Sequence, residues 1–298
     1  MSSEQHQHHG NYYLPNPSYW PIIGSVAIFC LLVGAANWLH GNVIGPVLFF
    51  VGAIILAIML FGWFGTVISE TRAGLLQDPQ VDRSFRWGMV WFIFSEIMFF
   101  LAFFGALFYA RVFSVPWLAG QGNNAAVLTH LLLWPSFTHS WPLFQTPNPA
   151  LFKGPMEVMS AWGIPAINTA ILLTSGVTIT IAHWGVLKNR RVQMMLAQFV
   201  TILLGIAFLC LQAHEYWDAY HLKQLKLSAG IYGTTFFMLT GFHGLHVTIG
   251  SIMLIVILWR MLKGDFNSQE HFGFEAVSWY WHFVDVVWLG LFIFVYWL

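Results

Sequence analysis

The chain has 298 residues, 58% of them hydrophobic and only 8% charged, with 12 basic residues balancing 12 acidic ones. Soluble domains carry roughly 25% charged residues, so a water-covered globule is excluded, and zero net charge excludes the basic footprint of a nucleic-acid-binding protein. The two cysteines, Cys30 and Cys210, both stand in apolar runs and offer neither a disulfide framework nor a zinc set.

The opening MSSEQHQHHGNYYLPNP is polar, lacks Lys and Arg and does not read as a signal peptide. Residues 1–19 are expected to form a cytoplasmic tail. Its cluster His6, His8 and His9 could bind metal, but with no second ligand group nearby it reads as part of a solvated tail. Apolar runs between charges then predict seven transmembrane helices in an all-α polytopic fold. They run about Trp20–Leu39, Ile44–Ile68, Trp87–Tyr109, Ile164–Leu187, Met195–Ala213, Ala229–Leu262 and Ala276–Leu298. His40-Gly41-Asn42 is a tight turn, so residues 20–68 make a hairpin, and residues 69–298 carry helices three to seven. The connection 112–163 is long, aromatic and rich in Pro, with PW, WPSF, SWP and NP. It reads either as a docking surface for a partner or as a cover over the helix ends. No internal repeat is evident, which weighs against a transporter built from inverted halves.

Basic residues orient the set. Arg72, Arg83, Arg86, Lys188, Arg190, Arg191, Arg260 and Lys263 fall on one side, and Arg111, Lys153, Lys223 and Lys226 on the other. Positive charge collects on the cytoplasmic side, which puts the N-terminus inside and the C-terminus outside.

The third span, WGMVWFIFSEIMFFLAFFGALFY, contains a single charge, Glu96, roughly 15 Å from its Arg86 end. An unpaired carboxylate there costs at least ~2.5 kcal/mol. Its neighbours one turn away are Phe92, Ile93, Phe99 and Phe100, so any partner must come from another helix. Without one, the carboxyl is expected to stand protonated. Helix four carries Asn168, Ser175, Thr178 and His183, read as packing groups. In helix six, His243 and His246 share a face, as a metal pair or as hydrogen-bond donors between helices, beside a stripe of Gly233, Phe237, Gly241, Gly244, Thr248 and Ser251. Helix seven aligns Glu275, Ser278, His282 and Asp285 on one face, either as a proton relay or as a hydrogen-bonded stripe locking the helix in place.

The strings NPSYWP, RWGMVWFIFSE, INTAILLTSGVTIT, GFHGLHV and FGFEAVSWYWHFVDVVWL together resemble the cytochrome c oxidase subunit III family across nearly the whole chain. The resemblance implies two arms, helices one and two against three to seven, around a lipid-filled cleft. It implies a non-catalytic subunit with no redox centre of its own, bound phospholipid, and haem and copper in partner subunits. Subunit I is then the main partner, with subunit II and small subunits beside it, in a bacterial inner membrane. Glu96 matches the family's buried carboxylate. Trp63, Glu70 and Arg260 match lipid head-group positions, with Phe64, Lys263 and His271 in the same stretches. Relatives often have Trp-Trp where this chain has Trp63-Phe64, a His pair where it has Leu75-Leu76-Gln77, and a small residue where it has His214. The alternatives are a quinol-oxidising relative, whose third subunit usually lacks the first two helices, and a membrane di-iron oxidase, which needs several His clusters where this chain has one HxxH in a span.

Overall fold

The computed structural model describes residues 17–74 and 78–298. The His6/His8/His9 cluster and Leu75-Leu76-Gln77 therefore lie outside the described residues. These residues form helices α1 (Trp20–Leu39), α2 (Ile44–Arg72), α3 (Pro79–Tyr109), α4 (Val115–Leu118), α5 (Asn124–Leu133), α6 (Ile164–Leu187), α7 (Arg191–His221), α8 (Gly230–Lys263) and α9 (Phe272–Leu291). A π-helical segment, Ala110–Ser114, joins α3 to α4, and another, Phe292–Trp297, extends α9. Seven helical stretches are long and apolar enough to cross a membrane. They coincide with the seven runs expected, but α2, α3, α7 and α9 extend one to three turns further. Charge ends an apolar run without ending a helix, because the backbone hydrogen bonds continue into the aqueous interface.

The described residues divide into two compact units, parted between Trp87 and Gly88. In the first, α1 and α2 form the expected hairpin. Gly41 takes φ +77°, its N–H reaches the Trp38 carbonyl, and Asn42 N–H reaches that of Asn37. These two bonds close the helix end as a Schellman motif. Below the turn, Gly34 lies on the backbone of Leu48 and Phe49, Gly45 on that of Asn37 and Trp38, and Gly52 on Ala27 and Leu31. Small residues let the two backbones touch, which is how helices associate where no water is expelled.

The second unit is built on seams. Buried residues recur at alternating steps of three and four along four helices. On α6 they are Pro165, Asn168, Leu172, Ser175, Ile179, Ala182 and Val186. On α7 they are Met194, Gln198, Thr201, Gly205, Phe208, Gln212, Glu215 and Ala219. Phe236, Thr240, His243, Val247, Gly250, Leu254, Ile257 and Met261 continue the pattern on α8, and Phe274, Ser278, Trp281, Asp285 and Trp288 on α9. A sustained seven-residue repeat keeps one stripe facing its neighbours. At the centre, a Cβ on Gly205 would fall 2.8 Å from the Trp281 ring, and one on Gly250 2.9 Å from it. The indole fills the space that both glycines leave, and its Nε1 donates to Ser175 Oγ at 2.8 Å.

The 112–163 connection packs onto the second unit. It continues helically to Leu118, adds α5, and then packs Phe137, Leu143 and Met159 into the core. Trp141 meets Tyr232 edge-on, and Lys223 pairs with Glu157 at 2.9 Å. The helix-six stripe divides. Gly233 presses on the Lys226 carbonyl and Ser251 is buried, whereas Thr248 is exposed and Gly244 meets open space.

Candidate functional site

Glu96 stands mid-way along α3, and His246 mid-way along α8, beside its buried stripe. The two meet at 2.8 Å, Glu96 Oε2 to His246 Nε2. The sequence expectation that a partner must come from another helix is met. On its other edge, His246 Nδ1 lies 2.6 Å from the Phe242 carbonyl. A carbonyl only accepts, so Nδ1 carries a proton and donates it. That fixes the tautomer and turns Nε2 toward Glu96. The Phe99, Phe100, Tyr280 and Phe283 rings surround the imidazole. Side-chain exposure is 11% for His246 and 22% for Glu96, so the pair is shielded from solvent with the carboxyl nearer the surface. One proton lies along the Glu96–His246 bond. On the carboxyl, both groups are neutral, and on Nε2 they form a carboxylate–imidazolium pair. Such an arrangement can hold and pass a proton, and it can equally pin α3 to α8.

His243, one turn earlier, does not join it. Its ring is fully buried between Phe208 and Trp288, and neither nitrogen has a hydrogen-bond partner among the described residues. The metal-pair alternative thus finds its two histidines in two environments, and of the two only His246 makes a hydrogen bond between helices among the described residues.

The helix-seven row is also divided. Ser278 and Asp285 lie in the seam, while Glu275 and His282 stand on its shoulder facing α6. His282 Nε2 is 3.4 Å from Thr180 Oγ1, and its Nδ1 is 3.8 Å from Asp285 Oδ2. Asp285 lies against Gly176, where a Cβ would come within 2.6 Å of Oδ2. With Trp281 on Ser175 and Trp288 Nε1 donating to Thr169 Oγ1 at 2.9 Å, this is a row of contacts locking α9 to α6.

The head-group candidates fall in both units. In the first, Trp63 and Phe64 are exposed and stack at 5.2 Å, with Glu70 two turns on. In the second, Arg260 is buried and ion-paired through Nε with Asp265 Oδ2 at 3.1 Å, under the Phe266 ring. Lys263 Nζ sits 3.6 Å over the exposed Trp259 ring. His271 caps the start of α9 and comes together with His183 and Glu275, their ligand atoms all within 4.8 Å of one another.

Sequence reasoning passed over a buried polar group on α7. Glu215 is fully buried and accepts from the Tyr296 hydroxyl at 2.7 Å, and next to it Tyr216 donates to Thr240 at 2.7 Å. Gln198, also fully buried, donates to the Leu254 carbonyl at 3.0 Å. The signal was present as the repeat Gln198, Gly205, Gln212, Ala219 at intervals of seven.

A family model described as cytochrome c oxidase subunit III matches residues 9–129 and 133–298. The chain is similar to cytochrome c oxidase subunit 3 of Raphicerus melanotis, 41% identical over 292 residues and covering 98% of each chain. It is likewise similar to the proteins of that name in Dugong dugon, at 42% identity, and Bos mutus grunniens, at 40%, with the same coverage.

Proposed function

This chain belongs to the cytochrome c oxidase subunit III family, and from that premise we propose that it is a non-catalytic, phospholipid-binding subunit of a proton-pumping oxidase. The observation that carries the reading is a match along nearly the whole chain to proteins of that name. The complex oxidises cytochrome c and reduces oxygen to water, with haem and copper held by partner subunits. This subunit packs on subunit I, next to subunit II and small subunits, in a bacterial inner membrane, with its N-terminus cytoplasmic and its C-terminus periplasmic. The excess of Lys and Arg on one set of loops supports that orientation.

Its own residues have two tasks in this reading. Trp63, Phe64 and Glu70 in the first unit, and by themselves Lys263 and His271 with the outer edge of Arg260 in the second, hold phospholipid against the subunit. The exposed aromatic rings and the cations at the end of α8 suit acyl chains and phosphate respectively. The Glu96–His246 pair holds one shielded proton and supports proton uptake over many turnovers.

Gentle detergent extraction of a tagged chain tests the reading. Haem-bearing subunits are expected to co-elute, the complex to oxidise reduced cytochrome c, and the chain separated from it to carry no haem, copper or iron. Stoichiometric redox metal on the separated chain, or elution without haem-bearing partners, overturns it. Oxidation of a quinol with none of cytochrome c shifts the assignment to the quinol-oxidising relatives.

A further inference from the structure

We propose that His183, His271 and Glu275 form a zinc-binding site where the end of α6 meets the start of α9. His183 lies in the last two turns of α6, His271 caps α9, and Glu275 follows it by four residues on the same face. One ligand atom from each lies within 4.8 Å of the other two. Around a tetrahedral zinc, ligand atoms stand about 3.3 Å apart. Rotation of the imidazoles and of the three-torsion Glu275 side chain spans that difference.

The second observation comes from the imidazoles themselves. His183 Nε2 and His271 Nδ1 are both shut off from solvent, and neither has a hydrogen-bond partner among the described residues. A buried polar atom left unpaired costs about 1–3 kcal/mol, and two at one place call for an occupant. The rings stand 5.9 Å apart by their centroids, beside Phe274, which packs on His183 and limits water access. The surroundings are pre-set. Asn189, just after α6, and Ser268, just before α9, exchange two hydrogen bonds of 3.1 Å at this end of the unit.

The donor set selects the occupant. Two imidazoles and one carboxylate suit a borderline cation, whereas magnesium and calcium take oxygen ligands. Ferrous iron accepts the same set but binds more weakly than zinc. A phosphate is disfavoured beside the Glu275 carboxylate, so bound zinc takes His271 out of the head-group set. Three protein ligands leave a fourth position for water. Zinc here joins the last turns of α6 to the α8–α9 connection and carries no electrons.

Equilibrium dialysis with radioactive zinc tests the site, on the full chain in detergent with its accompanying subunits, after a chelator wash. The wild type is expected to retain one more equivalent than the His183→Ala/His271→Gln double variant. Each single change should weaken that equivalent by at least about tenfold. Glu275→Gln keeps the side-chain shape and decides the matter if the double variant does not assemble. His214→Ala, at an exposed histidine, should retain all the zinc. Equal retention by wild type and site variants overturns the proposal, as does an equal loss from His214→Ala. Zinc K-edge absorption should show scattering from two imidazoles, and a spectrum without imidazole also overturns it.

Discussion

Replacing Glu96 by glutamine separates the proton from the shape. The glutamine amide N–H can donate to the bare His246 Nε2 across the 2.8 Å contact, but the side chain cannot ionise. Assembly and initial oxygen consumption of the complex should stay near wild type, with turnover falling over prolonged assay. An oxygen-electrode trace that collapses at once would make Glu96 an obligatory proton carrier. His246→Leu does the opposite, leaving a carboxyl among Phe92, Phe99 and Phe100. It should cost about 3 kcal/mol in thermal denaturation, and adding Glu96→Leu should recover most of that loss, because two apolar groups leave nothing unpaired. Arg260 obeys the same rule. Its ion pair with Asp265 has both side chains only 10% exposed. Arg260→Ala is therefore expected to destabilise the subunit by about 3 kcal/mol, so any lipid it loses must be measured against a lowered melting temperature. Both Glu96 and His246 were legible as odd residues in apolar spans. Their partnership was not, since helical periodicity reports neighbours along one helix and is silent about the facing one.

At the level of helices, the spans were readable because a hydrocarbon slab demands some 20 apolar residues in a row. Their ends were not, and the polar row on α9 shows a related gap. Glu275, Ser278, His282 and Asp285 follow the right repeat, but the buried stripe takes Phe274 and Trp281 in place of Glu275 and His282. A one-residue shift turns a stripe by about 100°, and only the neighbouring helices decide which phase is buried. The seams give a direct test. A Leu at Gly205 would drive carbon into Trp281 and Ser251, already 2.8 and 3.0 Å from a bare Cβ. Gly205→Leu should lower stability by about 1–3 kcal/mol or more, seen as a lower melting temperature and faster proteolysis between α7 and α8. At Gly105, where a Cβ meets open space, the same change should have little effect.

For the whole molecule, the exposed apolar rings and the family membership belong together: a subunit in lipid and in a complex has no need to hide its leucines from water. Lys263→Ala should reduce phospholipid retained in native mass spectrometry without altering the melting temperature, since the cation rests on Trp259 at an exposed edge. Unchanged lipid content would remove Lys263 from the head-group set. The indole of Trp281, nested between Gly205, Gly250 and Ser175, has one more implication, and it concerns synthesis. A ribosome releases α6, α7 and α8 into the bilayer before α9. Until α9 follows, two glycine hollows face lipid tails with nothing to fill them. Three helices threaded through the membrane are thus an unfinished structure, exposed to proteolytic quality control. Chains interrupted before Phe272 should be cleared quickly, and α9 acts as the closing piece whose arrival converts an inserted polypeptide into a folded one.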